Sequence, residues 1–428
     1  MLDIRFIQKN VDMVRQNTID RYADADVDKT VSLYAQLKQK RQSLMDNQHR
    51  SNQISNKFKV ADAMTRDQFI AEANNVKQNI VTLEGEIALI EKEYMREMIK
   101  IPNLAAPEAP QGRDENDNIP IKFFGKPIEF DFKPLDHVEL GKKLDIIDFE
   151  AGAKVTGSKF YFLKNEAVLL EMGLTRYALD LAMRHGFTPV TTPEIARDTI
   201  ITASGYSPRS EESQIYSLIN EGLSLIGTSE ITIGGYMSDT VIPEDDLPIK
   251  ISGVSHCFRT EIGGGKKNKG LYRVHQFGKV EMYQFTHPDK SAEAHEEMLA
   301  IEEEFYQAIG LPYRVLLMCK GDLGAPAYKK YDIEAWMPFI SDGGDYGEVT
   351  STSNCTDFQA RRLNVKFKNK RTRKNDYVHT LNGTAVALTR TILAIIENNQ
   401  QEDGTVLIPD ILRPYVGIKE IKPKIKRF

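Results

Sequence analysis

A long amphipathic pattern marks the first part of the chain. Apolar residues recur every three, four or seven positions from Val76 to Ile101, which is the spacing of one face of a continuous α-helix. A similar stripe starts at Val27 and fades after about Arg50. Because residues 59–67 separate the two stripes, the pattern predicts an antiparallel helical hairpin, and helices of about 35 residues would make it about 50 Å long.

The pattern changes after this hairpin. Residues 102–127 contain five prolines and a polar core, which interrupt any helix and predict a linker between domains. Beyond it, helical spacing alternates with strand-like runs, which predicts a part of mixed helices and strands, roughly 300 residues long. Helices are predicted at residues 166–185, 292–309 and 384–399, and strands at 248–252, 280–286, 313–318 and 331–337.

The composition is that of an ordinary globular protein. The 428 residues are 41% hydrophobic and 27% charged, and 56 Lys and Arg against 61 Asp and Glu give a net charge of −5. No apolar run approaches the roughly 20 residues of a membrane span, and the first residues lack the apolar core of a secretory signal. We therefore expect a cytoplasmic protein without membrane association.

The three cysteines, Cys257, Cys319 and Cys355, are far apart in the sequence. They form no C-x-x-C pair, so neither a disulfide framework nor a zinc site is expected. Reduced and mostly buried thiols are the simpler expectation.

Charge is distributed unequally over the predicted hairpin. Residues 28–60 carry seven Lys or Arg against two acids, whereas residues 61–100 carry five against eight. A cationic helix suits phosphates, which require Lys and Arg but no base-reading geometry. Charge alone favours the alternatives, a solvated helix face or a dimerising coiled coil.

A glycine-rich and lysine-rich stretch lies between Cys257 and Glu281. Two strand-like pieces flank a loop with four glycines and three lysines, which predicts a hairpin with a mobile cationic loop. Backbone N–H groups and lysines in such a loop suit an anion, although no Walker A register fits. From composition alone, a solvated surface hairpin is an equally good interpretation.

The motifs around this loop resemble those of a known enzyme family. Arg259-Thr-Glu261, the loop, Arg273-Val-His-Gln-Phe277 and Lys279-Val-Glu281 resemble motif 2 of class II aminoacyl-tRNA synthetases, in the form typical of the seryl enzymes. Residues 186–193 resemble motif 1, and Arg390 with the segment after it resembles motif 3. Further matching segments are residues 160–163, 228–230, 321–324, 331–338, 353–362, 379–383, 398–404 and 413–415. Nearly the whole chain resembles the seryl-tRNA synthetases.

This resemblance implies an α+β fold. A coiled-coil arm (residues 1–101) and a linker (102–127) would precede a class II catalytic domain (128–417), built on an antiparallel sheet flanked by helices, and a basic tail (418–428). The resemblance also implies a homodimer formed through the motif 1 region. The implied activity is ATP-dependent activation of L-serine to seryl-adenylate, followed by transfer to the 3′ end of tRNA(Ser), with tRNA(Sec) as an open second acceptor.

The resemblance also assigns residues to the ATP site. Arg259 would grip the α-phosphate and the serine carboxylate, and Arg390 would grip the γ-phosphate, because guanidinium forks suit both tasks. Glu348, with Ser351 close by, would hold Mg²⁺, a cation that prefers oxygen ligands. Glu261 would bind the adenine amino group and Phe277 would stack on the ring. The implied ATP-binding set is Arg259, Thr260, Glu261, Val274, Phe277, Glu348, Val349, Thr350, Ser351 and Arg390.

Serine and tRNA are assigned to two further sets. Glu230 would meet the serine ammonium group, and Glu281 would accept a hydrogen bond from the serine hydroxyl. A site built for a hydroxyl rejects alanine because its polar groups would be left unpaired. The serine set is Thr228, Ser229, Glu230, Arg259, Glu281, Asn382 and Thr384. The expected tRNA contacts are Lys38, Lys40, Arg41, Arg50, Lys57, Lys266, Lys267 and Lys269.

Some positions depart from the common bacterial pattern of the family. Ala385 and Thr389 replace glycines, Ser229 replaces alanine, and Thr350 and Thr352 stand where Ser and Cys are common. These changes leave the pocket shape and its selectivity open. Two alternative functions also stay open: a paralogue that loads a small amino acid onto a carrier protein, and a non-catalytic RNA-binding protein on a synthetase scaffold.

Overall fold

The computed structural model describes residues 1–60, 62, 64–206, 214–219, 221–261 and 270–424. The chain divides into two compact units, Met1–Leu104 and Ala105–Phe428. In the described part of the chain, no helix is long and apolar enough to cross a membrane. Cys257, Cys319 and Cys355 are free and buried, as the sequence predicts.

The first unit is the predicted antiparallel helical hairpin, with two short helices at its base. The long helices pack along each other, and the rings of Tyr34 and Tyr94 lie 5.8 Å apart between them. The second long helix and the turn lie where the pattern predicts them. The first continues past Arg50, where its apolar stripe fades, because buried Ile54 and an ion pair across the hairpin extend the contact. The helices are α1 (Ile4–Lys9), α2 (Val11–Asp20), α3 (Val27–Phe58) and α4 (Arg66–Lys100).

The base of the hairpin has its own small core. Apolar residues of α1 and α2, which the sequence patterns did not identify as helices, pack against the start of α3 and the end of α4. Asp26 caps α3 by accepting a hydrogen bond from the Lys29 N–H at 2.8 Å, which satisfies one of the donors that a helix N-terminus leaves open. The buried apolar members of this core are Leu2, Ile7, Val14, Val27, Met98 and Ile101.

The second unit contains a large antiparallel sheet, as the resemblance implies. Among the described residues, eight strands lie in the order β1-β10-β11-β12-β15-β9-β8-β4, and only the edge pair β4–β8 is parallel. The strands are β1 (Ile119–Phe124), β2 (Ile147–Asp148), β3 (Phe162–Leu163), β4 (Thr188–Thr191), β5 (Ile195–Arg197), β6 (Leu223–Leu225), β7 (Val241–Pro243), β8 (Ile249–Phe258), β9 (Gln276–Thr286), β10 (Tyr313–Leu317), β11 (Lys329–Met337), β12 (Asp345–Thr356), β13 (Lys366–Lys368), β14 (Asn375–Tyr377), β15 (His379–Ala387), β16 (Val406–Leu407) and β17 (Glu420–Ile421).

Three helices bury the sheet in the main core. Helices α7, α10 and α12 contact the central strands, and their apolar faces meet the inward side chains of β9, β11 and β15. This arrangement leaves the opposite face of the central strands to build a cavity, because Phe277, Lys279 and Glu281 line it while Val280 and Met282 face the core. The helices of this unit are α5 (His137–Lys143), α6 (Phe149–Thr156), α7 (Glu166–Arg184), α8 (Asp198–Ala203), α9 (Glu230–Tyr236), α10 (Ser291–Ala308), α11 (Phe358–Leu363), α12 (Leu388–Asn398) and α13 (Arg413–Val416).

Two sequence-based assignments need correction. The helix predicted at 384–399 begins only at Leu388, and residues 384–387 are the end of β15. Both elements are buried almost throughout, so no periodicity separates them. The segment predicted as a linker contains β1, whose Pro120 lies beside a register shift on the edge strand of the sheet. Proline is tolerated there because an edge strand leaves some N–H groups unpaired.

Candidate active site

A polar cavity of about 550 Å³ lies among the central strands of the second unit. Its lining combines basic and acidic side chains, so it can hold a ligand that carries both charges. Most of the residues assigned from the resemblance line it: Glu230, Arg259, Glu261, Val274, Phe277, Glu281, Glu348, Val349, Thr350, Ser351, Asn382, Thr384 and Arg390.

The hairpin of β8 and β9 brings Arg259 to the cavity. The strands pair antiparallel, and Arg259 follows directly after Phe258, the last residue of β8. Its backbone N–H donates to the His275 carbonyl at 2.9 Å, and its guanidinium lies 5.3 Å from the centre of the Phe277 ring. The predicted cationic loop with Lys266, Lys267 and Lys269 lies outside the described residues.

Glu261 is held beside the same hairpin. Arg273 Nη1 donates to Glu261 Oε2 at 3.2 Å, and Glu261 has a positive φ of 48°. Thr260 does not line the cavity, because its N–H donates to the Gln214 carbonyl and its hydroxyl faces the same residue.

Arg390 and Glu348 form a pair at the start of α12. Arg390 Nη1 donates to the Glu348 side chain and to its carbonyl, both at 2.9 Å, and its guanidinium lies 4.7 Å from the Tyr272 ring centre. Burial acts to raise the pKa of Glu348, but attraction to Arg390 and Lys330 outweighs it and lowers the pKa to about 2. Glu348 is therefore an anion at neutral pH.

A bulge in β12 allows Glu348 and Ser351 to face the same cavity. Residues three apart on a regular strand point to opposite sides. The pairing of β11 with β12 shifts register between Ile333 and Glu334, which leaves Val349 as an extra residue and reverses the alternation. The carboxylate and the hydroxyl both line the cavity, and two such oxygen donors fit a Mg²⁺ ion.

Glu230 is buried at the start of α9, with three neutral donors around it. Gln359 Nε2 donates to Glu230 Oε1 at 2.6 Å, Asn382 Nδ2 donates at 3.2 Å, and the Tyr206 hydroxyl donates to Oε2 at 3.1 Å. Burial, followed by repulsion from Glu281, raises the pKa of Glu230 to about 7. Within the described part of the chain Glu230 forms no ion pair, so its carboxyl group is available to a cationic ligand group.

Glu281 has a cationic partner instead. Lys279 Nζ lies 2.5 Å from Glu281 Oε2, and the Thr384 hydroxyl donates to the same oxygen at 3.0 Å. Lys279 also donates to the Thr228 hydroxyl at 2.8 Å, so Thr228 supports the pair from behind without lining the cavity. Ser229 is not brought to the cavity either, because its hydroxyl donates to the Gly253 carbonyl.

Several residues that line the cavity, or that contact its lining as Gln359 does, were not assigned from the sequence. Lys279 had a local signal, because it lies two positions before Glu281 on the same face of β9. Tyr206 and Gln359 are distant in sequence from Glu230, so nothing local indicates their contact. Other unassigned lining residues include Tyr272, Lys330, Ser353, Cys355 and Thr389.

The predicted tRNA contacts of the hairpin differ in their charge environment. Lys40 lies 2.6 Å from Glu86 and Arg50 lies 2.7 Å from Glu72, both acids on α4. Arg41 pairs with Glu91 in the same way. Lys38 and Lys57 are exposed, and within the described part of the chain neither forms an ion pair.

Comparisons with known proteins agree with this geometry. Family models match residues 1–105 as a seryl-tRNA synthetase N-terminal domain and residues 216–399 as a tRNA synthetase class II core domain (G, H, P, S and T). A curated protein from Treponema denticola named serine–tRNA ligase is 50% identical over 98% of this chain and 100% of its own length. One from Rubrobacter xylanophilus with the same name is 50% identical over 99% of both chains.

Solved structures give the same result. Seryl-tRNA synthetase from Pyrococcus horikoshii complexed with ATP superposes with a TM-score of 0.88 at 39% identity, covering 99% of this chain and 100% of that one. Cytoplasmic serine–tRNA ligase from Naegleria fowleri in complex with AMP superposes with a TM-score of 0.83 at 31% identity, covering 99% of each chain.

Proposed function

Because this chain belongs to the seryl-tRNA synthetase family, we propose that it is an ATP-dependent serine–tRNA ligase. It activates L-serine with ATP to give seryl-adenylate and pyrophosphate, and then transfers the seryl group to the 3′ end of tRNA(Ser). The observation that carries this proposal is one cavity that combines Arg259 and Arg390 with the buried acids Glu230 and Glu281 and the partly exposed acid Glu348.

Activation requires two anions to meet. Arg259 binds the α-phosphate of ATP and the serine carboxylate, so their repulsion is neutralised and the carboxylate is held for in-line attack on phosphorus. Arg390 binds the γ-phosphate, and Glu261 and Phe277 hold the adenine. The direct pair of Arg390 with Glu348 supports this assignment, because it keeps the guanidinium oriented in the cavity.

Glu348 and Ser351 are the residues that would hold Mg²⁺. When bound, the ion neutralises charge on the ATP phosphates. The low pKa of Glu348 supports this role, because a hard cation requires the ionised carboxylate. Arg390 donates a hydrogen bond to the same carboxylate, so Glu348 would contact both the guanidinium group and the Mg²⁺ ion.

The serine pocket binds both the ammonium group and the hydroxyl group of its substrate. Glu230 accepts from the ammonium group, while Glu281 accepts from the hydroxyl with Asn382 and Thr384 beside it. Lys279 Nζ lies 2.5 Å from Glu281 Oε2 and holds this carboxyl group in place, which supports its role as an acceptor. A substrate without the hydroxyl would leave these buried groups unpaired.

Transfer requires the tRNA to reach the same cavity. The terminal ribose hydroxyl attacks the carbonyl of seryl-adenylate, and AMP leaves without a covalent enzyme intermediate. The arm binds tRNA phosphates and recognises helix shape, and Lys38 and Lys57 are the predicted hairpin contacts that are exposed and form no ion pair within the described residues. An aminoacylation assay with tRNA(Sec) in place of tRNA(Ser) tests whether this second acceptor is also charged. We place the reaction in the cytoplasm, because the similar structure from Naegleria fowleri is that of a cytoplasmic serine–tRNA ligase.

We also propose a homodimer formed through the motif 1 region. Among the residues that the structure describes, strand β4 is at the edge of the sheet and pairs on one side only. Helix α7 before it exposes apolar side chains, with Leu169 43%, Met172 64% and Met183 42% exposed. A Met172→Glu variant is expected to sediment as a monomer while the wild type sediments at twice the chain mass. A monomeric wild type would refute the dimer.

Serine-dependent exchange of pyrophosphate into ATP tests the activation step. We expect exchange with serine far above that with threonine, alanine or glycine, and loss of at least about a hundredfold in Arg259→Ala. Arg371→Ala is the matched control, because Arg371 is an exposed arginine outside the cavity. Exchange with a different amino acid would favour the carrier-loading paralogue, and none at all would favour the non-catalytic RNA-binding scaffold.

A further inference from the structure

Helix α10 supports the floor of the cavity with buried polar side chains. His295 Nε2 donates to the Thr352 carbonyl at 3.0 Å, and the Tyr306 hydroxyl donates to the Val349 carbonyl at 3.4 Å. Both carbonyls belong to β12, so the helix is tied to this strand at two points. Glu302 lies between these two contacts on α10, and the mechanism above does not use it.

Glu302 is completely buried, with 0% of its surface exposed. Within the described part of the chain, neither of its carboxyl oxygens has a hydrogen-bond partner of good geometry. A Cβ added at Gly383 would lie 2.6 Å from Glu302 Oε1 and 3.1 Å from Thr352 Oγ1. The acid therefore packs directly against Gly383, the residue between the serine-pocket residues Asn382 and Thr384.

The hydroxyls of Thr350 and Thr352 beside Glu302 can accept a hydrogen bond from it but have no proton left to donate. Thr350 donates its proton to the Thr384 carbonyl, and Thr352 donates its proton to the Asn382 carbonyl at 3.0 Å. A hydroxyl has a single proton, so only acceptor lone pairs remain on both threonines. A carboxylate cannot donate to them, but a protonated carboxylic acid can.

The electrostatic surroundings agree with a protonated acid. Burial raises the pKa of Glu302 well above its ordinary value, and repulsion from Glu281 adds to this effect. A Thr350 hydroxyl that donated to Glu302 would lower this pKa, but its proton goes to the Thr384 carbonyl; Asp332 raises and Lys279 lowers the pKa by smaller amounts. A neutral Glu302 adds no negative charge beside Glu281.

We propose that Glu302 is a positioning residue that sets serine selectivity, because its carboxyl group braces Gly383 and donates a hydrogen bond to Thr350 or Thr352. Through those hydroxyls it fixes the backbone carbonyls of Asn382 and Thr384, and with them the side chains that face serine. Because Glu302 keeps β15 from shifting toward α10, the serine pocket has no room for the extra methyl group of threonine. This inference rests on the proposed serine–tRNA ligase activity.

Three substitutions separate shape from hydrogen bonding. Glu302→Gln keeps both the size and a donor, Glu302→Met keeps the size without the donor, and Glu302→Ala removes both. We expect Gln to keep the wild-type preference for serine over threonine in pyrophosphate exchange, and Met and Ala to reduce it about tenfold or more, the scale of discrimination set by one methyl group. The KM for ATP should stay unchanged in all three.

A neighbouring acid provides the matched control. Glu303 is also largely buried on α10, but it accepts from the Tyr313 hydroxyl at 2.8 Å and pairs with Lys122 rather than packing on the pocket floor. Glu303→Gln should leave selectivity unchanged. A wild-type preference in both Glu302→Met and Glu302→Ala, or a loss in Glu302→Gln equal to that in Glu302→Met, would overturn the proposal.

An infrared measurement tests the inference without activity and needs only the conservative variant. The difference spectrum between wild type and Glu302→Gln at about pH 8 should contain the carbonyl band of a carboxylic acid, although an ordinary Glu is ionised there. A carboxylate band in its place would overturn the inference. Failure of the wild type to exchange with serine would instead overturn the proposed function.

Discussion

At the scale of single residues, the pocket gives two nearby acids opposite properties through their partners. Glu230 receives hydrogen bonds from the neutral donors Gln359, Asn382 and Tyr206, whereas Glu281 lies against the ammonium group of Lys279. The first acid keeps its charge available for an incoming cation. The charge of Glu281 is already balanced by Lys279, and its carboxyl group serves as a hydrogen-bond acceptor.

The pH dependence of serine binding should therefore follow Glu230. Its pKa of about 7 means that it becomes protonated below that pH and loses its attraction for an ammonium group. We expect kcat/KM for serine in pyrophosphate exchange to fall by up to about tenfold per pH unit below this value. The KM for ATP is the control quantity and should not change with pH over this range, because Glu348 stays ionised.

The same raised pKa has a consequence for stability. Folded Glu230 holds its proton more tightly than the unfolded chain does, so its contribution to stability is lost as the pH rises through about 7. Glu230→Gln should raise the melting temperature above that pH while abolishing exchange with serine. An unchanged melting temperature together with a flat pH profile would contradict the raised pKa.

Lys279→Met tests the buried ion pair. Removing the lysine leaves Glu281 as an uncompensated buried charge, which costs about 3–5 kcal/mol of unfolding free energy. Denaturant unfolding measures this loss. The double variant Lys279→Met/Glu281→Gln should recover most of the stability but none of the serine activation, which distinguishes folding from function.

At the scale of elements, a buried histidine joins three segments around the ATP site. His137 at the start of α5 contacts Glu397 on α12 at 2.7 Å through Nδ1, and its Nε2 accepts from the Leu271 N–H at 3.1 Å. Leu271 belongs to the short turn just before β9. Gly270 fits there because a Cβ would lie 1.9 Å from His137 Nε2.

His137→Ala should loosen the ATP site while leaving the serine pocket intact. The substitution leaves the Leu271 N–H and the Glu397 carboxyl group without this partner, at a cost of about 1–3 kcal/mol. Tyr272 and Arg390 are the residues most directly displaced. We expect the KM for ATP to rise about tenfold with the KM for serine unchanged; equal changes in both would indicate general destabilisation.

The sequence predicts these elements where local patterns are sufficient. The hairpin of α3 and α4 and the β8–β9 hairpin follow from periodicity and from motif order. The boundary between β15 and α12 does not, because both elements are buried. The bulge at Val349 and the convergence of Tyr206 and Gln359 on Glu230 depend on pairings between distant strands and helices, which no local pattern encodes.

At the scale of the whole molecule, the arm and the catalytic unit should have separable functions. Replacing Lys38 and Lys57 together by alanine should weaken tRNA binding and reduce the slope of log K against log salt by about one for each lysine. Serine-dependent pyrophosphate exchange should not change. Filter binding at several salt concentrations measures the slope.

The matched control is the double variant Lys40→Ala/Arg50→Ala. These cations already pair with Glu86 and Glu72, so their removal should lower tRNA affinity less than removal of Lys38 and Lys57. An equal or larger loss would contradict the distinction between paired and unpaired cations on the arm.

The ion pairs across the hairpin also bear on how long a wrong RNA stays bound. A polyanion can bind Lys40, Arg41 or Arg50 only by displacing the acid of α4 that pairs with each. We therefore expect an RNA that is bound through charge alone to have a low affinity and a short residence time. An RNA whose shape reaches several unpaired cations at once dissociates more slowly. If the arm binds tRNA as we propose, we expect it to distinguish its partners by dissociation rate, because the acids of α4 compete with RNA for the paired cations.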